Sequence, residues 1–180
     1  MDTFRNIIHF WFEELTPAQW WRADPVLDHT IAERFGALHA PAAAGRLEHW
    51  RCEALGRLAE IIILDQFSRN LFRHDARAFA ADPLALELAM EAVELNVQNT
   101  FMANQKAFLY MPFMHSESGA IQQLSVILFS EPGLESNLRS ALRHKAIIDR
   151  FGRYPHRNTI LGRKSTAAEL EFLEQPGSSF

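Results

Sequence analysis

The sequence contains a single cysteine, Cys52, so it can form no internal disulfide bond. One thiol in 180 residues is typical of reducing compartments, and we expect a cytoplasmic location. No apolar run approaches the roughly 18 residues that suggest a membrane-spanning helix, and the first residues lack the basic segment and cleavage site of a signal peptide. These absences predict a protein that makes no membrane contact.

Motifs for metals, nucleotides and nucleophilic catalysis are also missing. The eight histidines have no H-E-x-x-H or other paired spacing, and one cysteine cannot build a thiolate site, so no metal is predicted. No Gly-rich loop is present, which argues against a phosphate cradle or a dinucleotide fingerprint. A G-x-S-x-G nucleophile turn is absent as well. We therefore predict no cofactor.

The chain instead has helical periodicity along most of its length. Proline and glycine signals separate the periodic segments, and no segment alternates with period two for long enough to predict a strand. With 48% hydrophobic residues and no Pro/Gly/Ser-rich linker, the chain can bury one undivided core. The prediction is a single all-α domain over residues 1–180, with seven or eight helices packed as antiparallel helix hairpins.

Residues 61–70, reading IIILDQFSRN, are predicted to lie at the centre of that core. Four consecutive aliphatic residues make a helix that is apolar on every side. On a helical wheel, Asp65 and Gln66 continue the inward face, and Arg69 lies one turn further on. Because an unpaired buried carboxylate is costly, we expect Asp65 to be buried and paired with Arg69 or with an arginine of residues 150–157. The pair is either a structural ion pair or the floor of a pocket.

Proline and capping signals set the predicted helix limits. Pro41 and Gly45 are expected to break one helix and Pro112 to close another, which would leave residues 115–117 in a loop. Thr166, followed three residues later by Glu169, forms a predicted capping box for a last short helix.

The net charge of −4 conceals an uneven distribution. Residues 139–164 contain eight basic side chains and one acid, whereas the rest of the chain has ten basic and 21 acidic side chains. Such a cationic segment can pair with the acidic body or bind an anion. Arg139, Arg143 and Arg150 share one helical stripe that could contact phosphates, but the acidic remainder would repel a polyanion. Nucleic acid is therefore not an expected partner.

Four stretches are distinctive in combination. They read LDQFSRN at 64–70, FLYMPFMHSE at 108–117, RFGRYPHRN at 150–158 and ILGR at 160–163. Together they resemble the bacterial domain of unknown function 924, and the likeness extends from the N-terminal FWF and QWW residues to the closing STAAELEFL. The resemblance implies an all-α fold similar to tetratricopeptide repeats. It implies no reaction and no substrate.

LDQFSRN, MHSE and RYPHRN each carry more polar groups than a helix end needs, so we predict that they meet in one polar cluster. Arginine forks suit carboxylates and phosphates, so the cluster could hold a small anionic ligand. The alternative is a tether that fastens the C-terminal segment to the core. The residues predicted to bind a ligand in the first case are Asp65, Gln66, Arg69, Asn70, His115, Glu117, Arg153, His156, Arg157 and Asn158.

Two functions fit these patterns. A helix-hairpin scaffold would bind a peptide or protein partner in a groove between helices, and we favour it because the fold suits that role. The alternative is a protein that binds a small anionic ligand, or an enzyme that acts on one. His115, Ser116 and Glu117 are the right kinds of group for acid–base chemistry. Adjacent residues rarely reach the geometry of a nucleophile and its base, however, so the sequence leans against catalysis.

Overall fold

The structure, a computed structural model, describes residues 3–179, in which it contains helices and no β-strand. Eight α-helices in this part of the chain have seven or more residues, and three have four, so the predicted all-α class is confirmed. The helices are α1 (Thr3–His9), α2 (Pro17–Trp20), α3 (Pro25–Ala43), α4 (Ala54–Ile62), α5 (Ser68–Leu71), α6 (Arg77–Ala80), α7 (Asp82–Glu94), α8 (Ala103–His115), α9 (Gly119–Phe129), α10 (Glu135–Phe151) and α11 (Ala167–Leu173).

Shorter helical turns extend or connect these elements. Helix α1 continues into the π-helical turn Phe10–Glu14, and α4 continues into the π-helical turn Ile63–Phe67, which leads directly into α5. The predicted central helix is therefore present with a π-helical insertion at ILDQF. Such insertions shift the side chains that follow around the helix axis, and they often lie at functional sites. Turns of 3₁₀-helix occupy Glu48–Cys52, Val97–Thr100 and Pro155–Arg157.

The centre of the core is the junction of α4 with its π-helical turn. Ile61, Ile62, Ile63 and Leu64 are all 0% exposed, as the run of aliphatic residues predicts. Helix α4 packs against α1, α7 and α8, so it has neighbours on several sides. Burying each of these four side chains contributes roughly 1.5–3 kcal/mol, so this junction is an apolar anchor of the fold.

Consecutive helices pack on one another in the second half of the chain. Helix α8 contacts α7 and α9, and α9 contacts α10, which is the helix-hairpin pattern expected from short connections. Helix α11 begins with the predicted capping box, in which the Thr166 hydroxyl accepts from the Glu169 N–H and the Glu169 carboxylate accepts from the Thr166 N–H. Within residues 3–179, no helix combines the length and apolarity needed to cross a membrane.

The helix end predicted at Pro112 is wrong, and the break predicted at Pro41 and Gly45 is confirmed only at the glycine. Helix α8 continues through Pro112 to His115, whereas α3 continues through Pro41 but ends at Ala43, just before Gly45. A proline inside a helix costs about 3 kcal/mol, because it removes one hydrogen bond and crowds the preceding turn. The turn that follows Pro112 is buried, with Phe113 and Met114 each 2% exposed, so packing outweighs that cost. His115 is consequently the last residue of a helix and not part of a loop.

Candidate functional site

A cavity of about 1010 Å³ lies among α2, α5, α6, α8, α10 and the turn Pro155–Arg157. This volume is at the upper end of the range of about 300–1,000 Å³ that is typical of small-molecule sites. The cavity therefore has room for a ligand considerably larger than an inorganic ion.

The lining of the cavity is basic. None of the described residues that line it is acidic, whereas eight are arginine or histidine. These eight residues are Arg22, Arg69, Arg73, Arg157, His74, His115, His144 and His156. A wall of this composition in a protein of net charge −4 favours an anionic occupant.

Another part of the wall is aromatic. The Trp21 ring stacks on Phe108, with ring centroids 5.6 Å apart and planes 6° from parallel, and the Trp20 ring meets Phe108 edge-on at 5.1 Å. Trp20 is fixed by a hydrogen bond from its Nε1 to the Trp11 carbonyl oxygen at 2.8 Å. Met111 continues this apolar surface along α8. The cavity thus combines basic groups with a rigid surface for an apolar group.

His115, a residue of the basic wall, forms a hydrogen-bonded pair with Asp65, which lies behind it. Asp65 is 1% exposed on the π-helical turn, and its Oδ1 lies 2.7 Å from His115 Nδ1, while Gln66 Nε2 donates to Oδ2 at 2.6 Å. Burial by itself raises the pKa of Asp65, but His115, Arg69 and Gln66 outweigh it and hold that pKa below its ordinary value. Burial lowers the pKa of His115.

These directions assign the proton of the pair. An ionised Asp65 can only accept, so His115 Nδ1 must carry the hydrogen and donate it. The neutral imidazole then has its lone pair on Nε2, and no described residue forms a hydrogen bond with that atom. Because the His115 side chain lines the cavity, Nε2 is available to an occupant.

Asp82 links two arginines of the wall. Arg69 donates to both carboxylate oxygens of Asp82 at 3.0 Å, and its Nη1 lies 3.5 Å from Asp65 Oδ1. Arg157 Nη1 lies 3.4 Å from Asp82 Oδ2, an oxygen that Arg69 already occupies. The expected burial of Asp65 with Arg69 as a partner is confirmed, and His115 is a second partner. The three predicted polar stretches meet through these contacts.

Arg157 is poorly bonded for a buried arginine. It is 5% exposed, its guanidinium lies between the rings of Phe79 and Tyr154 at 4.6 and 4.7 Å, and its Nε has no hydrogen-bond partner among the described residues. Burial and the neighbouring charge of Arg69 lower its pKa, although the group remains a cation near neutral pH. A buried charge that lacks acceptors is costly unless something else supplies them.

The deeper histidines are neutral near pH 7. Burial lowers the pKa of His144 to about 3, and burial together with Arg157 lowers the pKa of His156 to about 4. His144 Nδ1 lies 2.8 Å from the Ser140 carbonyl oxygen and donates to it. His144 also lines the cavity.

The ten predicted site residues divide into two groups. Gln66, Arg69, Asn70, His115, His156 and Arg157 line the cavity. Asp65 lies behind His115 and does not line it.

Glu117, Arg153 and Asn158 belong to a different structure, which we call the C-terminal tether together with Arg163 and Glu169. Arg163 donates to both Glu117 oxygens at 2.7 and 2.9 Å and to Asn158 Oδ1 at 2.9 Å. Arg153 donates to both Glu169 oxygens at 2.6 and 2.8 Å. The structure therefore does not bring these predicted ligand residues to the cavity; Arg163 and Glu169 of the tether bond to them instead.

Sequence reasoning missed Asp82, and it considered Trp20 and Trp21 as a pocket wall but favoured a place in the core for them. Asp82 begins α7, and an acidic residue in a first helical turn is expected without any role at a site. Its partner Arg157 lies 75 residues away, so no local pattern relates them. Trp20 and Trp21 lie at the end of a short helix whose direction only the tertiary structure defines.

Metal binding has no cluster to support it in the described part of the chain. Among residues 3–179, no three His, Cys, Asp or Glu side chains are grouped so that they could hold an ion. The histidines of the cavity instead bond to Asp65 or to backbone, or they face its interior.

Comparison with known proteins places the fold in a family. The model of a family described as bacterial protein of unknown function (DUF924) matches residues 7–177. The chain belongs to the DUF924 family. A solved structure of a protein of unknown function from Agrobacterium tumefaciens is 37% identical, has a TM-score of 0.91, and is aligned over 95% of this chain and 96% of that one. No curated protein matches this DUF924 chain.

Proposed function

We propose that this DUF924 protein binds a small organic anion in the cavity, with the anionic group on Arg157 and an apolar part on the aromatic wall. The observation that carries the proposal is the buried Arg157 guanidinium, which lines a cavity without acidic walls and has an unpartnered Nε. The two groups that this site would recognise are a carboxylate and a phosphate.

The bonding of Arg157 supports an external acceptor. A guanidinium has five N–H donors, and Arg157 has one hydrogen bond to a described residue, at 3.4 Å. Asp82 is shared between the two arginines: both of its oxygens accept from Arg69 at 3.0 Å, and only the longer contact of 3.4 Å reaches Arg157. A bound carboxylate or phosphate would supply two acceptors in the planar arrangement that an arginine fork matches. The rings of Phe79 and Tyr154 hold the guanidinium in one orientation, which lowers the entropy cost of binding.

The remainder of the cavity defines the rest of the ligand. Trp20, Trp21 and Phe108 form an apolar surface that an anion of inorganic size would leave empty. Asn104 and Asn137 add uncharged donors and acceptors to the lining. Pockets that bind small molecules typically combine a mainly apolar wall with a few fixed polar groups. An anion with an aromatic or aliphatic portion fits this wall better than phosphate alone.

The proposal is tested by titration calorimetry and thermal shift with inorganic phosphate, glutarate, hexanoate and phenylacetate. We expect at least one organic anion to stabilise the protein more than phosphate does, because a ligand that binds the native state raises its melting temperature. In Arg157→Met its affinity should fall by about tenfold or more, the value of one charge-assisted hydrogen bond. Arg153→Gln is the matched control, since it removes an arginine of the tether outside the cavity. Equal affinity in wild type and Arg157→Met would refute the assignment.

A peptide-binding scaffold is a second candidate, and one observation favours it. Asn70, Asn104 and Asn137 all line the cavity, and asparagine amides can pair with the backbone of an extended peptide. A tetratricopeptide-like arrangement of the hairpins would suit that role. Binding of a free-acid peptide but not of its C-terminal amide, with no response to small anions, would support the scaffold.

Cys52 is exposed and forms no disulfide bond, which supports the reducing, cytoplasmic location that we also propose.

A further inference from the structure

Asp65 and His115 are arranged more specifically than anion binding requires. Ligand binding needs a positive wall, and an arginine at either position would provide one. The structure instead has a buried carboxylate that fixes an imidazole through Nδ1 at 2.7 Å and leaves Nε2 to the cavity. This is the arrangement in which a carboxylate selects one imidazole tautomer and stabilises the imidazolium that forms when Nε2 accepts a proton.

We infer that His115 and Asp65 form a general-base dyad that activates water, and that the protein hydrolyses an ester carrying an anionic group. The inference rests on the proposed binding function, because Arg157 must hold that anionic group. His115 is the catalytic base in this assignment, and Asp65 is a positioning residue that acts through it.

Water is the nucleophile because no side chain takes that place. No described serine, threonine, cysteine or lysine is hydrogen-bonded to His115, although Ser136, Ser140 and Ser179 line the cavity. Ser140 lies in α10, where its hydroxyl is 3.5 Å from the Ser136 carbonyl oxygen. A base within reach of the cavity and without a hydroxyl or thiol partner acts on a water molecule that enters with the substrate.

The step conserves atoms and charge. His115 Nε2 removes one proton from water, the water oxygen forms a bond to the ester carbonyl carbon, and the C=O electron pair moves to the carbonyl oxygen. The positive charge of Arg69, whose Nη1 is 3.5 Å from Asp65 Oδ1, lies beside the dyad and stabilises the developing oxyanion. The oxyanion collapses, the bond to the leaving alcohol breaks, and Nε2–H returns its proton to that alcohol. One water is consumed, and a carboxylic acid and an alcohol are released.

The aromatic wall and Arg157 determine which ester fits. The anionic group binds at Arg157, and an aromatic or aliphatic leaving group lies against Trp21 and Phe108. His115 and Arg157 belong to one chain of contacts through Asp65, Arg69 and Asp82. A short diacid monoester would place its carbonyl between the two groups. Mono(4-nitrophenyl) glutarate has that arrangement, whereas 4-nitrophenyl acetate lacks the carboxylate.

The test measures 4-nitrophenolate release from both esters by wild type, His115→Gln, Asp65→Asn and His29→Gln, alongside glutarate binding. His29 has a side chain that is 73% exposed, so His29→Gln controls for hydrolysis by surface histidines. We expect wild type and His29→Gln to hydrolyse the glutarate ester with equal rates and to prefer it over the acetate ester. His115→Gln should lose about a hundredfold or more in kcat while it keeps glutarate affinity.

Asp65→Asn provides the readout for the positioning role. The change keeps the size of the side chain but no longer selects the Nδ1–H tautomer, so kcat should fall while KM stays within about twofold. In wild type, kcat/KM should decrease with acid as His115 becomes protonated, and this decrease should be absent from the residual rate of His115→Gln.

The outcomes separate this inference from the binding function. If wild type binds glutarate but releases 4-nitrophenolate no faster than His115→Gln does, the dyad is not catalytic and the binding function stands. Equal rates with the acetate ester would also overturn the inference, because the anion would then play no part. If no organic anion binds the wild type, the binding function fails, and the inference that rests on it fails too.

Discussion

Arg157 and Arg163 lie on the same segment after α10, carry the same side chain and are bonded in opposite ways. Arg163 donates to Glu117 at 2.7 and 2.9 Å, to Asn158 at 2.9 Å and to the Tyr154 carbonyl at 3.2 Å. Arg157 is more deeply buried and has one hydrogen bond to a described residue, at 3.4 Å. An arginine that serves the fold has its donors satisfied by the fold. The fold leaves the Nε of Arg157 without a partner among the described residues.

The two interpretations of the polar cluster, a ligand site and a tether, therefore apply to different halves of it. The C-terminal tether fastens the last segment through Arg153, Arg163, Glu117 and Glu169. The half that contains Arg157 faces the cavity. A structural role and a binding role need not compete when one loop presents its arginines to opposite sides.

Asp82→Asn is expected to have the largest effect on stability, and it acts on the cavity half. The change removes the negative charge that Arg69 and Arg157 share and leaves one acceptor oxygen where Asp82 has two. Removing one partner of a largely buried ion pair costs about 3–5 kcal/mol, which chemical denaturation should report as a loss of unfolding free energy.

An anion should partly compensate for Asp82→Asn. Phosphate or an organic anion can replace the missing negative charge, so the melting temperature of the variant should rise more on ligand addition than that of wild type. Glu117→Gln is the control in the tether, and an anion should not rescue it. A rescue of both variants to the same extent would mean that the two halves do not differ in accessibility.

Acid should weaken the cavity half before the tether. The pKa of His144 is lowered to about 3 and that of His156 to about 4, chiefly by burial, while an unfolded histidine titrates near 6.5. Their neutral forms therefore contribute stability that is complete above pH 6.5 and is lost as pH falls toward 4 and 3. Between pH 7 and 5 each histidine should cost about 2 kcal/mol of unfolding free energy.

The tether loses stability over a lower pH range. Its bond to Arg153 lowers the pKa of Glu169 to about 2 from the ordinary 4.5, so that contribution is complete above pH 4.5 and is lost as pH falls through 2. Burial also lowers the pKa of His39, which lies outside the cavity, so His39 adds to the loss of unfolding free energy in acid.

The contribution of His144 is isolated by measuring the unfolding free energies of wild type and His144→Gln at pH 7 and at pH 5. An equally steep pH dependence in His144→Gln would contradict this assignment.

Most of the helical structure and one buried charge could be predicted from the sequence. Helical spacing predicted the central helix, and the cost of an unpaired charge predicted the burial of Asp65 and its pairing with Arg69, 3.5 Å away. Both follow from interactions within about one helical turn. The π-helical turn at Ile63–Phe67 was not predicted, because its sequence reads as an ordinary apolar helix.

The site was less predictable because its contacts are distant in sequence. Asp82 and Arg157 are separated by 75 residues, and the choice of Glu117 for Arg163 rather than for Arg157 depends on tertiary geometry. The polar composition of RYPHRN identified donors that need acceptors. It could not show which donors the fold satisfies and which it leaves for a ligand. Whether the protein is a peptide scaffold, as the fold alone favoured, stays a prediction.

Arg157→Met should have the smallest effect on stability, although it removes a buried charge. Asp82 keeps both bonds to Arg69, so the substitution leaves no carboxylate unpaired. Methionine can also fill the space between Phe79 and Tyr154. Replacing a poorly compensated buried ion by an apolar side chain is often neutral or stabilising, so the unfolding free energy without ligand should stay within about 1 kcal/mol of wild type or rise.

The same substitution at Arg163 sharpens the comparison. Arg163→Met leaves Glu117 with only the Tyr154 N–H, at 2.7 Å, and leaves the buried Asn158 oxygen without its bond to Arg163, so it should cost about 2 kcal/mol. Urea denaturation of both variants without ligand gives their two unfolding free energies. Titration with the organic anion that binds wild type best then gives their two affinities. Arg163→Met should be less stable and bind normally, whereas Arg157→Met should be stable and bind weakly. If Arg157→Met instead loses as much stability as Arg163→Met does, Arg157 serves the fold, and the cavity loses the group that marks it as an anion site.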